Sequence, residues 1–222
     1  MSVFESTQVA CPSCGQVQAC ELVHSVNAVR RPDLRQAILD RQFQRQACVA
    51  CGASFRVPPR FTYLDLKRRQ FIGVFPPEPT DAAADAAHVR DAFERAYGAG
   101  TDGAALAADM VPRAVFGWPA LTEKLLCGDF GIDDAVLELC KVAALRRAGR
   151  VDLRADREWR LIGRDGDQLA LGWLDPASED LSDSIEVPRA LVGEIAAAPA
   201  AWDGLRAAVT GDTWVDYRRS LA

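Results

Sequence analysis

Two short stretches, CPSCGQ at residues 11–16 and CVACGA at residues 48–53, decide how this chain is read. Each is a Cys-x-x-Cys-Gly knuckle. Two residues between cysteines let one tight turn aim both sulfurs at the same point. The glycine that follows, Gly15 or Gly52, allows the positive φ that closes the turn beneath that point. Two such turns supply four thiolates, the donor set of a closed tetrahedral zinc site. The expected ligands are Cys11, Cys14, Cys48 and Cys51, holding one structural Zn2+ per chain. The same cage also suits iron, and the spacing does not separate the two metals. With four protein ligands no coordination position stays open, so the ion is expected to hold structure and not to activate water. A redox Cys-x-x-Cys usually stands alone near a βαβ pattern, which is not evident here. Of the three remaining cysteines, Cys20 is an outside candidate for a further sulfur ligand. Cys127 and Cys140 read as buried thiols on helices.

Working outward from the knuckles, SVFESTQVA (2–10) and VQACELVHSVNAV (17–29) alternate apolar with polar residues and read as strands flanking the first knuckle. RPDLRQAILDRQF (31–43) changes period, with Pro32 suited to the first helical position and Leu34, Ala37 and Ile38 on one face. The long excursion between the knuckles is therefore a short helix. Strands are expected again in ASFRVPPRFTYLDLKRRQFIGVF (53–75). FPPEPTDAAADAA (75–87) looks like a boundary because prolines stop strands and helices. The expected domains are a zinc-ribbon-like β domain with an inserted helix at 1–76, a Pro/Ala linker at 77–87, and an α+β domain at 88–222. A fragment starting near Thr80 is then expected to fold alone. In the second domain three helices are followed by a hairpin in EWRLIGRDGDQLALGWLD (158–175), where Asp165-Gly166 supplies the turn. The fold class is α+β, with helices first and the hairpin later.

CPSCG, VNAVRRPDLRQAIL (26–39), CVACG and RFTYLDLKRRQFIGVFPP (60–77) together resemble the CpXC domain family of bacteria and archaea, named for its Cys-Pro-x-Cys knuckle. The resemblance covers about the first 77 residues. FGWPALTEKLLCGDFGIDDAVLELCK (116–141) is similar to a region that often follows the domain in longer members. It implies a metal-binding zinc ribbon and no established enzymatic activity. One departure stands out: Val49 occupies the second knuckle where a proline like Pro12 is usual.

Charge is distributed unevenly. Residues 1–75 carry ten Arg/Lys against five Asp/Glu, a balance of +5, and the remaining residues carry 16 against 26, a balance of −10. The basic half is the expected partner-facing part, with Arg30, Arg31, Arg35, Arg41 and Arg45 on or beside the inserted helix. The expected partner is an acidic protein surface, and the function that of a non-enzymatic, zinc-stabilised interaction or adaptor protein. The alternative is a nucleic-acid-binding regulator. Phe43, Phe55, Phe61, Tyr63 and Phe71 are interleaved with basic residues, as a stacking surface would require. A small ribbon needs its large apolar side chains for a core, so core packing is the expectation for these rings. Asp129, Asp133, Asp134, Glu123, Glu138, Lys124 and Lys141 offer acid–base groups, but they read as helix-start charges and surface pairs. His24 and His88 fit no triad or metal spacing. The opening residues show no basic region followed by an apolar one, and no apolar run approaches the roughly 18 residues that span a bilayer. A cytoplasmic protein without a membrane partner is expected.

Overall fold

The computed structural model describes residues 2–107, 109–147, 149 and 156–221. Its first hairpin joins β1 (Val3–Ala10) to β2 (Val17–Asn27), antiparallel from Ala10↔Val17 back to Val3↔Ser25, with the first knuckle at its tip. Helix α1 (Pro32–Leu39) follows, with Pro32 in its first turn. The second hairpin, β3 (Arg45–Ala47) with β4 (Ser54–Arg56), carries the second knuckle. β5 (Phe61–Asp65) and β6 (Gln70–Phe75) form the next antiparallel pair. These elements match the order expected from the sequence.

The boundary expected at 77–87 does not divide the structure. Residues from Ala82 onward are already α2 (Ala82–Tyr97), capped by Asp81, whose Oδ1 accepts from Ala84 N at 2.9 Å. After α2 the chain returns as β7 (Val111–Phe116), which pairs parallel with β6 from Gln70↔Val111 to Phe75↔Phe116. The prolines therefore end a strand inside one sheet. A parallel return needs a crossover of a dozen or more residues, and the prolines and α2 provide it. The five-stranded sheet has the order β1-β2-β5-β6-β7.

Helices cover both faces of this sheet. Alternate residues of β6 point to opposite sides: Ile72 and Val74 join a core with Ile38 of α1, while Phe71 and Phe75 join a core with Val89 and Phe93 of α2. Gly73 lies under α2, and a Cβ there would collide with the Val89 side chain. The glycine thus sets how closely helix and sheet approach.

Helix α3 (Trp118–Phe130) starts directly after β7, and α4 (Asp134–Arg147) follows the left-handed Gly131. Leu121 and Leu125 of α3 enter the core shared with α1, while Cys127 enters a second one. That second core lies between α4 and the antiparallel sheet of β8 (Glu158–Asp165), β9 (Gln168–Leu174) and β10 (Leu181–Pro188), in the order β10-β9-β8. Gly166, at φ 54°, makes the expected turn between β8 and β9. α5 (Ala190–Ala197) and α6 (Asp203–Val209) complete this half. No helix among the described residues is long and apolar enough to cross a membrane.

Because β7 takes its hydrogen bonds from β6, a fragment starting near Thr80 lacks the strand that β7 needs. It also exposes the α3 leucines that cover the first sheet. Contrary to the sequence expectation, this fragment is expected to aggregate or to melt without cooperativity. A single sharp thermal transition of the purified fragment, followed by circular dichroism, would overturn the shared-sheet architecture.

Candidate metal centre

The two knuckles have the same backbone. In the first, Gly15 N donates to Cys11 O at 2.9 Å and Cys11 N to Gln16 O at 2.8 Å. In the second, Gly52 N donates to Cys48 O and Cys48 N to Ala53 O, both at 2.9 Å. Gly15 at φ 74° and Gly52 at φ 71° take the left-handed conformation that the turn requires. Each knuckle is the tip of an antiparallel hairpin, so both turns are anchored by ladder pairing on either side.

These turns bring Cys11, Cys14, Cys48 and Cys51 together, with all four sulfurs within 4.8 Å of one another. Across the site Cys11 Sγ lies 3.8 Å from Cys51 Sγ, and Cys14 Sγ lies 3.6 Å from Cys48 Sγ. A tetrahedron with metal–sulfur bonds of about 2.3 Å has edges of roughly 3.8 Å. The spacing fits an ion at the centre. It is also well beyond the ~2.05 Å of a disulfide.

Backbone donors favour the thiolate form. The N–H groups of Cys51 and Ala50 hold the Cys48 thiol down to about 6. At Cys14 the backbone donor of Gln16 acts in the same sense, but hydrogen bonds shared with the sulfurs of Cys51 and Cys48 push it up to about 12. Binding a metal as four thiolates releases the protons that the thiols hold. Cys11 and Cys48 are buried against Phe55 and Val57, while Cys14 and Cys51 face solvent. Cys20 is buried but is not one of the four, and Gln18 Nε2 donates to its sulfur at 3.7 Å.

The valine of the second knuckle has a structural reason. Val49 is 81% exposed, so its side chain packs little. Its N–H, however, donates to Gln18 Oε1 at 2.9 Å, while Gln18 Nε2 donates to Ala47 O at 3.1 Å. One glutamine on the first hairpin thus ties down the backbone of the second. A proline at 49 has no N–H to give. Gln18→Ala is expected to cost about 1 kcal/mol, and Val49→Pro a similar amount, each seen as a lower melting temperature of the metal-loaded protein. An unchanged melting temperature in both would remove the tie.

The arginines expected to form one basic surface do not all reach the surface. Arg30, Arg41 and Arg45 are exposed, and Arg31 is half-exposed and paired with Asp33 at 2.6 Å. Arg35 is a correction: it is buried, and its Nη2 donates to Asp129 Oδ2 at 2.6 Å. Arg68 completes this cluster by donating to Asp129 Oδ1 at 2.7 Å and Asp65 Oδ2 at 2.9 Å. The cluster ties α1 and the β5–β6 turn to α3, so Arg35 serves the fold and presents nothing outward. Phe43, Phe55, Phe61, Tyr63 and Phe71 are all buried, as core packing requires.

A family model, CpXC protein, matches residues 9–141. The chain belongs to the CpXC family. No curated protein and no solved structure matches it. The CpXC span begins near the end of β1 and closes at Lys141 inside α4. It contains both knuckles and β2, β5, β6 and β7 of the sheet, so the family match runs across 77–87 as the sheet does.

Within and just beyond the CpXC span lies a feature the sequence reading placed on the surface. Glu123, Lys124, Glu138 and Lys141 are buried, as are Glu158, Arg160 and Asp216. Lys141 Nζ reaches Glu123 Oε1 at 2.9 Å and Glu138 Oε2 at 2.7 Å. Lys124 Nζ reaches Asp134 at 3.0 Å and the carbonyl of Val215 at 3.0 Å. Arg160 bridges Glu123, Glu158 and Asp216, Arg218 joins the last two, and Arg113 forks onto Asp134 at 2.7 and 2.9 Å. Five cations (Arg113, Lys124, Lys141, Arg160 and Arg218) face five carboxylates (Glu123, Asp134, Glu138, Glu158 and Asp216). Opposing the cost of burial, Lys124 and Arg113 hold Asp134 well below the usual carboxylate range, and Arg160 and Arg218 do the same for Asp216. α4 is therefore buried on two sides, one apolar and one ionic.

Proposed function

We propose that this CpXC chain is a non-enzymatic interaction protein of a reducing cytoplasm, whose N-terminal ribbon is held by one structural zinc. The observation that carries the reading is the four-sulfur cluster. Its spacing suits Zn2+, its four thiolates fill a tetrahedron, and a site so filled leaves no position for a substrate. Two hairpin tips fixed to one ion make a rigid platform for a partner.

Exposed Arg30, Arg41 and Arg45, with half-exposed Arg31, give the platform its charge, and an acidic protein surface is the matching partner. The buried aromatic rings favour this over nucleic acid, because no stacking face is left among them. The −10 balance of residues 76–222 also disfavours a long polyanion. The deciding experiment is capture from native lysate by the full-length protein, with half of the lysate nuclease-treated. A captured protein that survives nuclease, and is lost with Arg30→Ala/Arg31→Ala/Arg45→Ala, is expected. Capture that vanishes with nuclease, or a steeply salt-dependent mobility shift on mixed DNA or RNA, would favour the nucleic-acid alternative.

A further inference from the structure

Beside the metal centre lies a cleft of about 560 Å3, within the roughly 300–1,000 Å3 range of ligand pockets. Its walls are mostly apolar: Pro12 from the first knuckle, Phe55 from β4, Pro58, Pro77, Trp118 from α3, and Pro176 from the loop between β9 and β10. The Arg56 guanidinium stacks on the Trp118 ring at 3.7 Å. Each of its three nitrogens donates within the chain, to Phe43 O, Glu179 Oε1 and Ile38 O.

The arginines around this cleft outnumber the carboxylates. Arg41 and Arg45 lie close enough for their charges to oppose the charge on Arg56, whose own burial already disfavours it, while Glu179 stabilises it. Arg41 Nη1 donates to the Glu179 carbonyl at 2.8 Å, and Arg45 Nε donates only to the Arg41 carbonyl at 3.3 Å. Among the described residues, no carboxylate pairs with Arg41 or Arg45. The chain itself shows what this cluster takes. Glu179, buried and at φ 64°, inserts from an acidic turn with its carboxylate on Arg56 and its backbone on Arg41. One such turn is seated, and two cationic side chains remain.

We propose that this cleft docks an acidic segment of a partner protein, which inserts one aromatic side chain between the proline rings and sets carboxylates on Arg41 and Arg45. Flat proline and ring surfaces suit a planar side chain, and aromatic anchors in apolar pockets with a polar rim carry most of the energy of such contacts. Two unpaired arginines beside mostly apolar walls suit a short acidic segment better than a continuous phosphate backbone, which calls for a run of cations. The inference deepens the interaction reading and rests on it. It adds that the metal shapes the site, since Pro12 and Phe55 are fixed by the two knuckles.

The test is a titration of metal-loaded, full-length, 15N-labelled protein with the peptide acetyl-Asp-Glu-Trp-Glu-Asp-amide. Perturbed signals are expected for the Trp118 indole and the amides of Phe55, Ala177 and Ser178. Replacing the peptide tryptophan by alanine is expected to weaken binding at least about tenfold. Arg45→Glu is expected to weaken it about tenfold as well, with a flattened salt dependence. Ala177→Trp, at an exposed position on the rim, fills the cleft and is expected to abolish the response while metal content stays unchanged. No perturbation at millimolar peptide, perturbation elsewhere on the molecule, or equal binding of the alanine peptide would overturn the proposal. So would tighter, Arg45-dependent binding of a ten-nucleotide oligothymidylate. If Ala177→Trp still captures the lysate partner, the cleft assignment fails and the interaction reading stands. If capture proves nuclease-sensitive, the interaction reading fails whatever the peptide does.

Discussion

Cys48→Ser is expected to strip the metal from the protein and unfold the ribbon. Cys48 is buried, sits 3.6 Å from Cys14 across the site, and is held toward the thiolate form by backbone donors. Structural zinc in small ribbons supplies on the order of 10 kcal/mol of folding free energy. Little else holds this end. The second hairpin has three residues per strand, and from Val17 to His24 β2 is paired with β1 alone. The apolar cluster at the site is small: Cys11, Cys48, Phe55 and Val57 at its centre. Loss of the ion should leave the sheet core around Tyr63 and Ile72 formed while the knuckles become protease-sensitive. Limited proteolysis of the variant, with cleavage sites read by mass spectrometry, checks this. Protection of residues 11–16 and 48–53 equal to the parent protein would contradict it.

The second large effect is at Lys141. Removing its ammonium leaves Glu123 and Glu138 buried with a missing partner, and breaking a buried ion pair from one side costs about 3–5 kcal/mol. Lys141→Ala and Lys141→Met are expected to lose similar amounts in urea denaturation, since both leave the same carboxylates. A loss near zero in both would mean that the network is not ionised as drawn. Its pH dependence follows from the directions of shift. Asp134, Asp216 and Glu123 are held below their ordinary values, each against its burial. Their stabilisation is present above about pH 4 and lost as pH falls through the lowered values. Lys124 is raised by Asp134 and Glu138 against its burial, so its contribution is present below about pH 10.5 and lost above it. Glu138 is raised by burial and by the Glu123 charge, which offsets part of the acid-side loss. Stability is expected to be flat between about pH 5 and 9 and to fall on the acid side.

Local chemistry was legible in the sequence, and distant pairing was not. The knuckles, the α1 start at Pro32 and the Asp165-Gly166 turn are each set within a few residues, so spacing alone placed them. β7 was missed because VPRAVF has no clean alternation and its partner β6 lies about 40 residues earlier. The proline-rich stretch before α2 looks like a domain edge for the same reason. Arg35 looks like a surface residue in the sequence because its partner Asp129 is 94 residues away. Likewise Glu138 and Lys141 look like an ordinary helix-surface pair. Only the return of β8 and the C-terminal residues Asp216 and Arg218 buries them. The charge of each residue was visible, while its burial depended on five separate segments meeting.

The central claim is that four thiolates hold one zinc ion and thereby the ribbon. Native mass spectrometry of the purified full-length protein, paired with elemental analysis, tests it most directly. The expected result is one zinc per chain, retained through desalting, absent in Cys48→Ser, and released with the uptake of protons on acidification. A metal-free chain with the knuckles still folded, or a Cys48→Ser variant with full metal content, would contradict it.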